Sequence, residues 1–186
     1  MSGTRPSAEE LAAAEGAVIP DVLDTGLRVL FCGINPGLWS GATGHHFARP
    51  GNRFWPALHS SGFTPRQLRP DEQHALLDQG LGLTNLVARA SSRAAELSNE
   101  ELAAGGAALE QKVRQYRPGW VAVVGLTAFR TAFGVRNAMV GPHDRGIAGA
   151  RVWVLPNPSG LNAHWSAASL AAEFARLRRA VESDQQ

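Results

Sequence analysis

The feature that most constrains this chain is an alternation between short apolar runs of strand length and longer stretches with helical periodicity. The strand-like runs are Leu27–Cys32, Gly82–Val87, Trp120–Val124 and Arg151–Leu155. Between and after them lie helical patterns. Asn52–Ser60 carries Phe54, Trp55 and Leu58 on one face, with Pro56 tolerable near its first turn. Asp71–Gln79 reads as a short helix. Ser98 with Glu101 three residues on forms a capping box, and Leu102, Leu109 and Val113 continue one face towards Pro118. Thr127–Phe133 and Ser166–Val181 follow, the latter with Leu170, Phe174, Leu177 and Val181 as its buried stripe. Strands that alternate with helices predict an α/β fold, three layers α/β/α around a central, mainly parallel sheet.

With 186 residues, 44% of them hydrophobic, the chain has material for one core. The expected organisation is a loosely ordered extension over residues 1–26, where Gly16, Pro20 and Gly26 interrupt a short helix near Ala12–Ala14, and a single domain over 27–186. Cys32 is the sole cysteine, which excludes an internal disulfide and any site built from several thiolates. No apolar run approaches the roughly 20 residues that span a bilayer, so a soluble, cytoplasmic protein without a membrane partner is expected. The formal charge is only +2, but Lys112 is the one lysine among 18 basic residues. Arginine suits bidentate phosphate contacts, although an arginine-rich, alanine-rich composition explains the same count.

In an open parallel sheet the ligand crevice lies beyond the carboxyl ends of the strands. Two strand exits look alike there. Leu27–Cys32 runs into Gly33-Ile34-Asn35-Pro36-Gly37, and Arg151–Leu155 runs into Pro156-Asn157-Pro158-Ser159-Gly160-Leu161-Asn162. Asn-Pro followed closely by Gly forces a turn and leaves backbone N–H groups pointing outward, fit for a phosphate, a nucleobase or a sugar. The first loop is not G-x-G-x-x-G, and a phosphate loop would need Gly-Lys before Ser or Thr, which a chain with only Lys112 lacks. The six histidines show no paired metal-ligand spacing, so no metal is expected. Ser159-Gly160 lacks the neighbours of a nucleophile elbow. Adjacent His45 and His46 are expected to face solvent.

Taken together, Gly33–Gly37, Phe47-Ala48-Arg49-Pro50, Asn52-Arg53-Phe54-Trp55 and Asn157-Pro158-Ser159-Gly160-Leu161 resemble the mismatch-specific uracil-DNA glycosylases, the group that also holds thymine-DNA glycosylases. The resemblance runs from about Leu27 to Glu182. It implies a uracil-DNA glycosylase-like fold and a monofunctional enzyme of base excision repair that acts as a monomer without cofactor or metal. Such an enzyme flips uracil, and also ethenocytosine or mismatched thymine, out of double-stranded DNA and hydrolyses the N-glycosidic bond. The alternative is a DNA-binding module that recognises damage with little catalysis.

By resemblance Asn35 positions the attacking water, and the backbone amides of Ile34 and Gly37, with Asn157, hold the base. Phe47 stacks on it, and Leu161 is the wedge that fills the vacated stack. Gly160 and Asn162 meet the widowed guanine, and Ser40 contacts DNA phosphate. The chain departs from relatives at Ala163, where some carry arginine, at Asn85, where they can have lysine, and at Ala88, where they can have aspartate. The loop from Arg89 to Ser98, with Glu96, is therefore a place where specificity is expected to differ.

Overall fold

The computed structural model describes residues 5–186, so whatever was expected of residues 1–4 lies outside the described part. Five strands, β1 (Val29–Gly33), β2 (Leu81–Asn85), β3 (Trp120–Val124), β4 (Gly141–Ile147) and β5 (Ala150–Leu155), form one sheet in the order β2-β1-β3-β5-β4. All neighbours are parallel except β4 with β5. Among the described residues six α-helices accompany it: α1 (Ala8–Ala13), α2 (Leu38–Thr43), α3 (Phe54–Ser60), α4 (Asn99–Tyr116), α5 (Leu126–Phe133) and α6 (Ala167–Ser183). The segment expected to be a short helix at Asp71–Gln79 is a 3-10 helix, Pro70–Gln79.

The expected layering is present. Along β1, Val29 and Phe31 join a core with Phe54, Phe63, Leu170 and Phe174, while Leu30 and Cys32 join Leu109, Val121 and Phe129 on the opposite face. That two-sided burial explains why β1 and β3 read as continuous apolar runs instead of alternating ones. The capping box at Ser98 and Glu101 starts α4 as its sequence indicates.

Three elements differ from the expectation. β4 was not foreseen, because Pro142 and its polar neighbours carry no strand pattern. They are tolerable on an edge strand, where one side needs no hydrogen-bonding partner. Its turn to β5 uses Ala148 (φ 47°) and Gly149 (φ 93°), the positive-φ pair of a primed hairpin, without the usual Asn-Gly signal. α2 was also missed, a single short helix between Gly37 and the left-handed Gly44.

The third difference is the amino-terminal extension. Where a loose tail was expected, the described part is tied down along the free edge of β2. Val22 and Leu83 exchange backbone hydrogen bonds of 2.9 and 2.8 Å, and Gly16 and Ala17 do the same with Ala90 at 2.9 and 2.8 Å. Lys112 reaches Asp21 at 2.7 Å, while Thr84 donates to the same carboxylate at 2.8 Å. Covering an edge strand satisfies its outward amides, which is why this stretch packs in spite of its weak periodicity.

Candidate functional site

The strand order reverses at β1, which has β2 on one side and β3 on the other, and such a switch point opens a crevice at the carboxyl ends of the strands. A cavity of about 150 Å³ lies there. Its walls include Ile34, Asn35 and Gly37 after β1, Asn85 ending β2, Val124 ending β3, and Asn157 and Pro158 after β5. The two Asn-Pro loops therefore open onto one space, as their likeness suggested. The volume is below the roughly 300–1,000 Å³ of drug-sized pockets, so it suits a single small ring.

Asn35 is held rigidly. Its Nδ2 donates to the Arg89 carbonyl at 3.0 Å and to Ser91 Oγ at 2.8 Å, and the Ser91 hydroxyl in turn donates to the Arg93 carbonyl at 2.9 Å. Both amide hydrogens are thus committed, and Oδ1 makes no hydrogen bond to any described residue. Because no buried side-chain polar atom is left without a partner among the described residues, Oδ1 is the open end of the group. The loop leaving β1 supplies a second feature. The N–H groups of Ile34 and Gly37 donate to no protein acceptor among the described residues, which leaves them free to meet an anionic oxygen.

Contrary to the expectation for a solvent-facing pair, His46 is buried, 1% exposed, and forms part of the cavity wall. Nε2 lies 2.9 Å from the Pro20 carbonyl, which can only accept, so Nε2 carries the proton and Nδ1 is an acceptor. Asn85 Nδ2 donates to that Nδ1 at 3.4 Å. Burial pushes the His46 pKa below its ordinary 6.5, keeping the ring neutral. The amide of Asn85 is thereby oriented, and its Oδ1 packs over Gly33. A Cβ there would sit 2.5 Å from Asn85 Oδ1 and 3.2 Å from Phe47 Cζ.

Phe47 lines the cavity with φ 53°, a left-handed conformation that a bulky residue rarely adopts. One ring face stacks on Phe54, with centroids 4.0 Å apart and planes 19° from parallel. Phe54 thus covers one face of a ring that also lines the cavity.

A second groove, of about 240 Å³, adjoins the first through the shared residues Arg49 and Asn52 and is lined by Pro50, Gly51, Ser159, Gly160 and Leu161. Leu161 is 76% exposed, more than any other large apolar side chain described. Its loop is fixed from beneath by Arg53, at the start of α3. The guanidinium donates to the carbonyls of Ser159 (2.8 Å), Asn162 (3.2 Å) and Trp165, with Pro158 at 3.5 Å.

The profile of the Uracil DNA glycosylase superfamily matches residues 20–182. The chain belongs to that superfamily. Its fold is also that of a candidate uracil DNA glycosylase from Methanosarcina acetivorans solved by solution NMR, with a TM-score of 0.58 and 20% identity over 88% of this chain and 98% of that one.

As a superfamily member that acts on DNA, the chain gathers most of the expected site residues at one edge. Ile34, Asn35, Gly37, Ser40, Phe47 and Asn157 line the cavity, and Gly160 and Leu161 line the groove beside it. Asn162 faces the far side of the same loop, its Nδ2 donating to the Asn157 carbonyl at 3.0 Å. The Asn157 side chain accepts from the Ser159 N–H at 3.0 Å, so its oxygen shapes the loop. Ser40, expected at a phosphate, is buried, and its Oγ accepts from the Ala48 N–H at 3.3 Å, which fixes the turn carrying Phe47.

Glu96 does not line the cavity; it accepts from Ser92, which does, and pairs with Arg93 at 3.5 Å, contacts that hold its carboxyl below the usual range. The sequence reading missed His46 and Ser91 as parts of the site. Arg53 was read only as part of a motif. Their partners lie 26, 56 and more than 100 positions away, beyond the reach of any local pattern.

Proposed function

We propose that this chain is a monofunctional, mismatch-specific glycosylase that swings uracil out of double-stranded DNA and hydrolyses its bond to deoxyribose, with ethenocytosine and mismatched thymine as further substrates. It acts as a monomer. The observation that carries the reading is the tethered Asn35, whose two amide hydrogens are fixed and whose Oδ1 is open in a cavity the size of one ring. An open carbonyl oxygen accepts a hydrogen bond from a water molecule and aims the water's lone pair at the sugar carbon.

The chemistry follows from what the cavity lacks. None of its described lining residues is a carboxylate and His46 is neutral, so strong base catalysis is absent. Cleavage then depends on the departing base. The C1′–N1 bond breaks with its electron pair going to the pyrimidine, the free amides of Ile34 and Gly37 stabilise the negative charge on its oxygens, and the water oxygen bonds to C1′. The water keeps one hydrogen as the new C1′ hydroxyl and releases the other proton to solvent, and the departed base anion takes up one proton from solvent. Products are the free pyrimidine and an abasic site.

Phe47 supplies a stacking surface, a contribution of about 1–3 kcal/mol per base in other nucleic-acid complexes. Asn85 presents a hydrogen-bonding edge oriented by His46. Leu161, exposed on a loop pinned by Arg53, is placed to fill the stack that the base vacates; unstacking is cheapest at a mismatch, which favours a G·U pair.

The deciding experiment incubates the protein with a duplex containing one G·U pair and cleaves abasic sites with alkali. Strand scission by the parent and its loss in Asn35→Ala, with duplex binding kept, is the expected result. Binding without scission by the parent would instead make the chain a damage-recognition module.

A further inference from the structure

Arg49 is the only residue with a full charge among the described walls of the base cavity, and it also lines the groove leading to Leu161. Of the four arginines on the surrounding loops, three are engaged. Arg53 is spent on loop carbonyls, Arg89 pairs with Glu101 at 2.6 Å, and Arg93 pairs with Glu96 at 3.5 Å. Arg49 is exposed, and its side chain has no hydrogen-bond or ion-pair partner among the described residues. No carboxylate among the described residues lines either space. An unpaired guanidinium with no acid beside it, at the junction of two connected grooves, is a site for an anion.

We propose that Arg49 grips the backbone phosphate next to the swung-out nucleotide, in the groove between the base cavity and the Leu161 loop. This rests on the glycosylase reading above and names a contact that reading leaves open. A nucleotide with its base in the cavity and its place in the stack taken by Leu161 must run its sugar-phosphate between the two. Arg49 borders both. The same guanidinium is poorly suited to stabilising the departing base, because it is exposed and water screens its charge. Its neighbours keep the loop in shape without it: the Asn52 N–H donates to the Arg49 carbonyl at 3.0 Å, and Asn52 Oδ1 accepts from the Phe54 N–H at 2.9 Å. Replacing the side chain therefore leaves the fold intact.

The test uses the full chain, a duplex with a tetrahydrofuran abasic analogue opposite guanine for affinity, and a G·U duplex for excision. Log K is measured against log salt between about 50 and 200 mM for the parent, Arg49→Gln and Arg49→Lys. Arg49→Gln is expected to bind about tenfold more weakly at the low-salt end, with the salt slope smaller by about 0.9, the value for one lost phosphate contact. Arg49→Lys keeps the slope because it keeps the charge. In single-turnover excision at saturating enzyme, Arg49→Gln loses less in rate than it loses in affinity. An unchanged slope in Arg49→Gln overturns the proposal, as does a large loss of saturated rate with affinity kept, which would assign the guanidinium to the departing base. Absence of both duplex binding and excision in the parent refutes the glycosylase reading itself, so the two failures are told apart.

Discussion

Arg53→Ala tests whether the exposed Leu161 is held in place by design of the surrounding contacts. The side chain offers five donors and uses four of them on carbonyls of one loop: Ser159 at 2.8 Å, Asn162 at 3.2 Å, Trp165, and Pro158 at the long distance of 3.5 Å. A hydrogen bond from a charged donor contributes about 1.5–3 kcal/mol net. The carbonyls lie near solvent and regain water when the donor leaves, so the low end applies to the two short contacts and the longer two add little. About 3 kcal/mol is then lost from the ordered loop, or roughly a hundredfold in its population relative to disordered forms.

The assay is affinity for a duplex carrying an abasic analogue opposite guanine, where wedge and loop are engaged. Arg53→Ala should bind up to about a hundredfold more weakly. Arg53→Lys, a single point donor, should recover only part of the loss. Should both variants bind within about threefold of the parent, less than 1 kcal/mol, the loop is ordered without the guanidinium fork and the reasoning fails. The Arg53 N–H bond to the Pro158 carbonyl, 2.9 Å, is unaffected by either change and anchors the loop's start in all three proteins.

Leu161→Ala should weaken binding to the same duplex while leaving the melting temperature within about a degree, because a side chain 76% exposed contributes little to the folded core; equal affinity of variant and parent would show that it fills no gap in DNA. Gly33→Ala should depress uracil excision more than stability, since the new Cβ would lie 2.5 Å from Asn85 Oδ1 and 3.2 Å from Phe47 Cζ and displace both cavity walls; kinetics on a G·U duplex alongside thermal melting decide it. Stability should also fall as pH drops below 6.5. The folded His46 pKa lies below 6.5, so its contribution is complete above 6.5 and is lost as pH drops towards the folded value. Glu72 and Glu101, held at about 2 by Arg66 and Arg89, lose theirs only below 4.5. Denaturant melts at pH 7.5 and 5.0 should therefore differ less in His46→Gln than in the parent, and an equal difference in both would count against the buried neutral ring.

What could be read from the sequence was what local chemistry dictates. β1, β3 and β5 announce themselves because both of their faces are buried, and α4 because Ser98 and Glu101 cap it reciprocally. Asn35 and Asn157 were legible as candidates because a strand exit is where an α/β sheet opens. β4 was not, since an edge strand can carry Pro142 and polar residues without cost to its free side. His46 was misread for a related reason. A histidine beside another histidine in a Gly-rich stretch looks solvated, and only the fold of the preceding residues brings the Pro20 carbonyl to Nε2.

The tied-down segment before β1 thus bears on the chemistry as well as on the sheet edge. Residues 16–22 cover β2 and carry Pro20, whose carbonyl sets the His46 tautomer; that tautomer accepts from Asn85, and Asn85 faces the cavity. Ala90, bonded to Gly16 and Ala17, lies between Arg89 and Ser91, the two residues that hold the Asn35 amide. The same stretch of backbone therefore buttresses both sides of the proposed reaction centre, the hydrogen-bonding wall and the water-positioning amide. In a cavity without an acid or a strong base, fixed orientation is the main resource available for catalysis, and here much of it is supplied by a segment whose own sequence shows no pattern of importance.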